Sequence, residues 1–130
     1  YSATPAHTAV TTIDGTSIAE LVIARMIERF DTTTDYNNYS ILVYKSQGQY
    51  NVNWHDDGSF VGAASIYLNQ DWNRTLGGHF IYQMDDQQVM TAIQPKQGTA
   101  VYQSGGVLHA TTPVAVNAPN RLSLQVFIHG

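Results

Sequence analysis

Cysteine is absent from the 130 residues. That excludes a disulfide framework and any thiolate metal site. Charge is scarce: 12% of residues carry it, six basic against ten acidic, for a formal net charge of −4. No basic cluster is present to neutralise phosphates, so a nucleic-acid partner is not expected. No apolar run approaches the roughly 18 residues of a membrane span, and no signal-peptide pattern is visible. A cytoplasmic protein without membrane attachment is the expectation. Glutamate occurs only at Glu20 and Glu28, so a carboxylate needed elsewhere must be an aspartate. What is present is an ordinary globular composition, 43% hydrophobic, in a chain long enough for one core. A single domain over 1–130 follows. The chain begins at Tyr1 rather than Met, so further N-terminal sequence is expected. The sequons Asn38-Tyr39-Ser40 and Asn73-Arg74-Thr75 are short enough to arise by chance. The oligomeric state is open.

Residues 1–13 are rich in Thr and Ala and read as an irregular arm or a first edge strand. Asp14-Gly15-Thr16 is a turn. Ser17 and Glu20 have capping-box spacing. Ile18, Leu21, Val22, Met26, Ile27 and Phe30 then form an apolar stripe, which predicts a helix from Ser17 to about Phe30 covering a sheet face. A polar turn follows from Asp31 to Asn38. Beyond it, short β-rich runs alternate with turns: Ser40–Tyr44, Gln49–Trp54, Phe60–Leu68, His79–Tyr82, Gln88–Ile93, Thr99–Tyr102, Val107–His109 and Arg121–His129. An acidic turn at Asp85-Asp86 separates two of them. Gly62, Ala63 and Ala64 permit close approach of a backbone or ligand. The last run alternates strictly: Leu122, Leu124, Val126 and Ile128 on one face, Arg121, Ser123, Gln125 and Phe127 on the other. One helix and about eight short strands predict a mainly β jelly roll or barrel.

The chemistry centres on Trp54-His55-Asp56-Asp57-Gly58. Side chains two apart in a strand share a face, so His55 and Asp57 can reach one ion from a strand end. His109 is the best third ligand. Two imidazoles and a carboxylate on one side of an octahedral ion leave open positions, the pattern of non-haem Fe(II) oxygenases. Of the five histidines, His7 and His129 read as structural, while His79 after its Gly pair could line a pocket.

The segments Tyr67-Leu68-Asn69-Gln70-Asp71-Trp72, Gly77-Gly78, Ile93-Gln94-Pro95-Lys96, His109 with Pro113-Val114, and Arg121-Leu122-Ser123-Leu124 resemble the 2-oxoglutarate- and Fe(II)-dependent dioxygenases. Within them the prolyl-hydroxylase branch is most similar. The resemblance runs in order from about Ile41 to Ile128. It implies a double-stranded β-helix with one N-terminal supporting helix, and His55, Asp57 and His109 as iron ligands. Arg121 falls where the family's basic residue binds the far carboxylate of 2-oxoglutarate, a task suited to a forked guanidinium. Tyr67 matches a tyrosine bonding the same carboxylate, Tyr44 a position lining that pocket, and Ser123 could add a hydroxyl. Trp72 is expected to pack structurally. The roles of Tyr50, Asn51 and His79 stay open. The implied cofactors are Fe(II), 2-oxoglutarate and O2, with ascorbate as an accessory reductant. The implied reaction hydroxylates a C–H bond, first choice a prolyl residue of a peptide or protein, with succinate and CO2 as co-products. A free amino acid or small metabolite is the second choice. A cupin-like metal-binding jelly roll is the non-catalytic rival, disfavoured because both glutamates lie in the helix.

Overall fold

The computed structural model describes residues 8–30, 38–83 and 88–129. His7, the Asp85-Asp86 turn and nearly all of the 31–38 turn lie outside these. Among the described residues, one α-helix and nine strands are ordered β1 (Thr8–Thr12), α1 (Ser17–Arg29), β2 (Tyr39–Ser46), β3 (Val52–His55), β4 (Gly62–Tyr67), β5 (Phe80–Tyr82), β6 (Thr91–Ile93), β7 (Ala100–Ser104), β8 (His109–Thr111) and β9 (Arg121–Ile128), with a short 3-10 turn at Arg74–Leu76 between β4 and β5. They form a five-stranded sheet, β1-β2-β9-β4-β7, and a four-stranded sheet, β3-β8-β5-β6. All strand pairs are antiparallel. This is the expected jelly roll, and Thr8–Thr12 of the first segment forms an edge strand.

β9 lies between β2 and β4, so both its edges are paired, and it carries buried residues on each face, Arg121 and Ser123 on one and Val126 and Ile128 on the other. Its apolar face meets α1: Val126 and Ile128 join Ile41, Ala64, Ala19, Ile23 and Met26 in one core cluster. Each large side chain fully buried there contributes about 1.5–3 kcal/mol. The face bearing Arg121, Ser123, Gln125 and Phe127 turns into the space between the sheets.

Two details of α1 differ from the sequence reading. The cap is Thr16, whose Oγ1 accepts from the Ala19 amide at 3.1 Å. Ser17 is the first helical residue, so the Ser17–Glu20 box does not form. The buried stripe is Ala19, Ile23 and Met26, while Ile18, Leu21 and Ile27 are exposed. The small Ala19 is fully buried in the cluster with β-sheet residues, while the bulkier Ile18, Leu21 and Ile27 turn outward.

The connection after β4 is held by Asn69. Its Nδ2 donates to the Pro95 carbonyl at 2.6 Å, and its Oδ1 accepts from the Leu122 amide at 2.8 Å. One buried carboxamide thus ties the end of β4, the turn before β7 and the start of β9. Trp72 packs structurally as expected, donating to the Gly77 carbonyl at 2.9 Å among Tyr50, Val52 and Val114. His129 is also structural, with Nε2 2.8 Å from Ser40 Oγ.

Candidate metal centre

β3 ends at His55, and Asp57 lies just beyond it. The Asp57 amide donates to the Gly105 carbonyl at 2.7 Å, and its carbonyl accepts from Phe60 at 2.8 Å. Gly105 has to lack a side chain there: a Cβ would stand 2.1 Å from the Phe60 carbonyl oxygen. The register irregularity between Val52 and His55 sets His55 opposite His109. The three chemical groups therefore converge from a strand end, a loop and the first residue of β8.

His55 Nε2 is 3.6 Å from Asp57 Oδ1, and His109 Nε2 is 3.3 Å from Asp57 Oδ2. All three potential ligand atoms lie within 4.8 Å of one another. Atoms about 2.1 Å from a shared ion and at right angles are roughly 3 Å apart, so little adjustment is needed. The unused nitrogens are fixed. His55 Nδ1 is 2.8 Å from the Asn53 carbonyl, and His109 Nδ1 is 2.8 Å from the Val107 carbonyl. Each carbonyl holds a proton on Nδ1 and leaves Nε2 facing the centre, the arrangement common to metal-bound imidazoles. Phe80 stacks on His109 at 5.2 Å, setting its plane. Burial raises the Asp57 pKa. The His109 hydrogen bond, the two imidazoles and Gln103 together outweigh it and hold the carboxyl below its ordinary 3.8.

One pocket joins this centre to Arg121. Arg121 is only 3% exposed, yet among the described residues it forms no ion pair. Its Nε donates to the Gly78 carbonyl at 2.9 Å, and its guanidinium carbon lies 5.2 Å from the Tyr67 ring centroid and 6.0 Å from that of Tyr50. The Gly pair makes this possible. Gly77 and Gly78 have φ of 70° and 66°, and a Cβ on Gly78 would lie 3.0 Å from Arg121 Cδ. The Tyr67 hydroxyl is buried with no hydrogen-bond partner. Burial pushes its phenol pKa up, against the opposing pull of the Arg121 charge and of the nearby Ser65 hydroxyl and Arg121 guanidinium, neither of which comes within hydrogen-bonding geometry of it. A buried cation without an anion and a buried hydroxyl without a partner are groups that a carboxylate could satisfy together.

The sequence-derived candidates divide into groups. His55, Asp57, His109, Tyr67 and Arg121 all border the shared pocket. Tyr44 and Ser123 are buried and paired in register, but they do not border it. Instead the Ser123 hydroxyl accepts from Gln125 Nε2 at 3.0 Å. Tyr50, Ser65, Gln103 and Gln125 are wall residues that the sequence reading did not assign to the site. The strand parity of β4, β7 and β9 would have found the last three. His79 packs near Arg121: burial and that positive charge lower its pKa, and its Nε2 has no partner.

A sequence profile for the "2OG-Fe(II) oxygenase superfamily" matches residues 39–129. No curated protein sequence matches. Among solved structures, a Pseudomonas putida prolyl-4-hydroxylase aligns with TM-score 0.78 at 19% identity, covering 94% of this chain and 71% of that one. A prolyl hydroxylase from Trichoplax adhaerens, in complex with a hypoxia inducible factor oxygen degradation domain peptide fragment, aligns with TM-score 0.75 at 14% identity, covering 92% of this chain and 61% of that one. An RmlC-like cupin from Desulfovibrio desulfuricans aligns with TM-score 0.54 at 10% identity, covering 95% and 84%. These likenesses describe the fold. With a facial His-Asp-His set at one end of a pocket and an unpaired buried arginine at the other, and with the profile spanning most of its length, the chain belongs to the 2OG-Fe(II) oxygenase superfamily.

Proposed function

We propose that the protein is a hydroxylase that uses Fe(II), 2-oxoglutarate and O2, and that its substrate is a prolyl residue of a peptide or protein. The observation that carries the reading is the two-ended pocket, metal ligands at one end and unpaired Arg121 with the unpartnered Tyr67 hydroxyl at the other. A dicarboxylate spanning it satisfies both ends. His55, Asp57 and His109 would hold the ion through Nε2 and carboxylate oxygens, with both imidazoles oriented by backbone carbonyls. Arg121 and Tyr67 bind and orient the far carboxylate by charge and hydrogen bonding. Phe80, Ala63 and Phe127 supply apolar wall between the ends and exclude water. When bound, the iron and co-substrate would supply the oxidising chemistry that puts one oxygen atom of O2 into a substrate C–H bond as hydroxyl and the other into succinate, with CO2 released. The prolyl choice rests on likeness to the prolyl hydroxylases. A free amino acid is the alternative substrate. A non-catalytic cupin-like role shares the fold, but gives no account of the unpaired cation.

The test is an anaerobic titration of ion-free protein with Fe(II) and then 2-oxoglutarate, following the visible metal-to-ligand charge-transfer band. A saturable band that vanishes in His109→Ala is expected. Folded protein without a band overturns the proposal. Turnover of proline-containing peptides against free amino acids then decides the substrate class.

A further inference from the structure

Gln103 touches both Asp57 and His109, and the proposed function gives it no role. It lies on the inward face of β7, opposite Ala63. Its Nε2 donates to Asp57 Oδ2 at 3.1 Å and lies 3.0 and 3.1 Å from the two ring nitrogens of His109. The orientation is chemically determined: a carboxylate oxygen accepts, so the amide must present NH2 rather than oxygen. Near-equal distances to both ring nitrogens place the amide beside the ring, off the in-plane direction of the Nε2 lone pair. The position an ion would take is therefore left free. Gln103 Oε1 is buried with no partner, an unfavourable arrangement that an apolar side chain would avoid. Packing alone therefore gives no reason for glutamine here. Gln103 also borders a second cavity of about 320 Å³, walled by Tyr82, Ile93, Val101 and Val107, so the space beside it does not require its bulk.

We infer that Gln103 is a positioning residue for the ion. Its amide ties down the Asp57 oxygen nearest His109 and backs the His109 ring, holding both ligands in place before and after loading. The inference rests on the reading of His55, Asp57 and His109 as a metal site. Partners that orient ligating groups typically govern about 10–100-fold in metal affinity.

The experiment compares wild type with Gln103→Met and Gln103→Leu, using Mn(II) and Co(II) as probes by calorimetry, with thermal melting to confirm folding. Both variants should bind about 10-fold or more weakly, and the Co(II) absorption spectrum should change as Asp57 is released. A second readout needs no variant. In wild type, the Gln103 side-chain NH2 should exchange slowly with solvent both ion-free and loaded with diamagnetic Zn(II). Unchanged affinity and spectrum in folded Gln103→Met overturns the inference, as does rapid NH2 exchange once Zn(II) is bound. Wild type that binds none of these ions overturns the metal site itself and the inference with it, whereas binding without dependence on Gln103 overturns the inference alone.

Discussion

The Arg121 guanidinium lies 5.2 Å from the Tyr67 ring centroid, and the two side chains share one deficit. Among the described residues Arg121 has no anion and the Tyr67 hydroxyl has no hydrogen-bond partner. They are neighbours because β9 and β4 pair with Tyr67 opposite Ser123, and because Asn69 ties the two strand ends together.

The shared deficit gives Tyr67→Phe opposite effects on stability and on binding. Removing a buried hydroxyl that lacks a partner should leave the ion-free protein unchanged or stabilise it by up to about 1–3 kcal/mol, the usual cost of such a group. The same change should weaken 2-oxoglutarate binding by about 3–10-fold, one neutral hydrogen bond. Urea unfolding and calorimetry with Mn(II)-loaded protein measure the two effects. A variant that loses stability and keeps its affinity contradicts the assignment.

Arg121→Gln should act more strongly. Loss of charge-assisted bonds worth about 1.5–3 kcal/mol predicts roughly 10–150-fold weaker 2-oxoglutarate binding. Metal affinity should change little, because the guanidinium contacts none of the three ligands. Calorimetry of each ligand separately checks this, and equal loss of both would show global damage.

Gly78→Ala should destabilise the fold by about 1–3 kcal/mol, since an L-residue at positive φ is strained. The new methyl also meets Arg121 Cδ and Val114 Cγ2, each 3.0 Å away. Chemical denaturation measures the first effect. Weaker 2-oxoglutarate binding in protein that remains folded measures the displacement of Arg121.

His79 carries a pH dependence. Its folded pKa is lowered from 6.5 by burial and then by Arg121. The unfolded chain therefore binds the proton first as pH falls. The contribution of neutral His79 is complete above about 6.5 and declines below it, until pH passes the folded value. Unfolding free energy measured at pH 7.5 and 5.5 should fall less in His79→Gln than in wild type. Equal losses would show that His79 is not held neutral by its surroundings.

The pattern of what the sequence revealed follows from which signals are local. His55 and Asp57 are two residues apart at a strand end, and the parity of β9 separates Arg121 from Leu122, so both features are legible without three-dimensional information. Asp57 itself lies past the strand, held by Gly105, a contact no local pattern announces. Gln103 escaped notice because its strand was expected to end at Tyr102, and its inward direction depends on pairing with Ala63 across β4. Tyr44 and Ser123 do lie on inward parity. Burial behind the wall is a matter of depth, which alternation does not encode. In α1, weighing Ile18, Leu21 and Ile27 above Ala19 misdirected the stripe: the buried face runs through Ala19, Ile23 and Met26, and a small alanine carries little weight in an apolar pattern.

The placement of β9 also ties assembly to ligand competence. This strand pairs with β2 and β4, partners far earlier in the chain, so loop-closure entropy opposes it and its docking is expected late in folding. Until it docks, β2 and β4 present unpaired backbone edges open to pairing with other chains. The same event delivers Arg121 to its pocket. A protein population that has not completed this step has neither its central strand nor its proposed dicarboxylate anchor, and an excess of 2-oxoglutarate should draw such molecules toward closure by mass action.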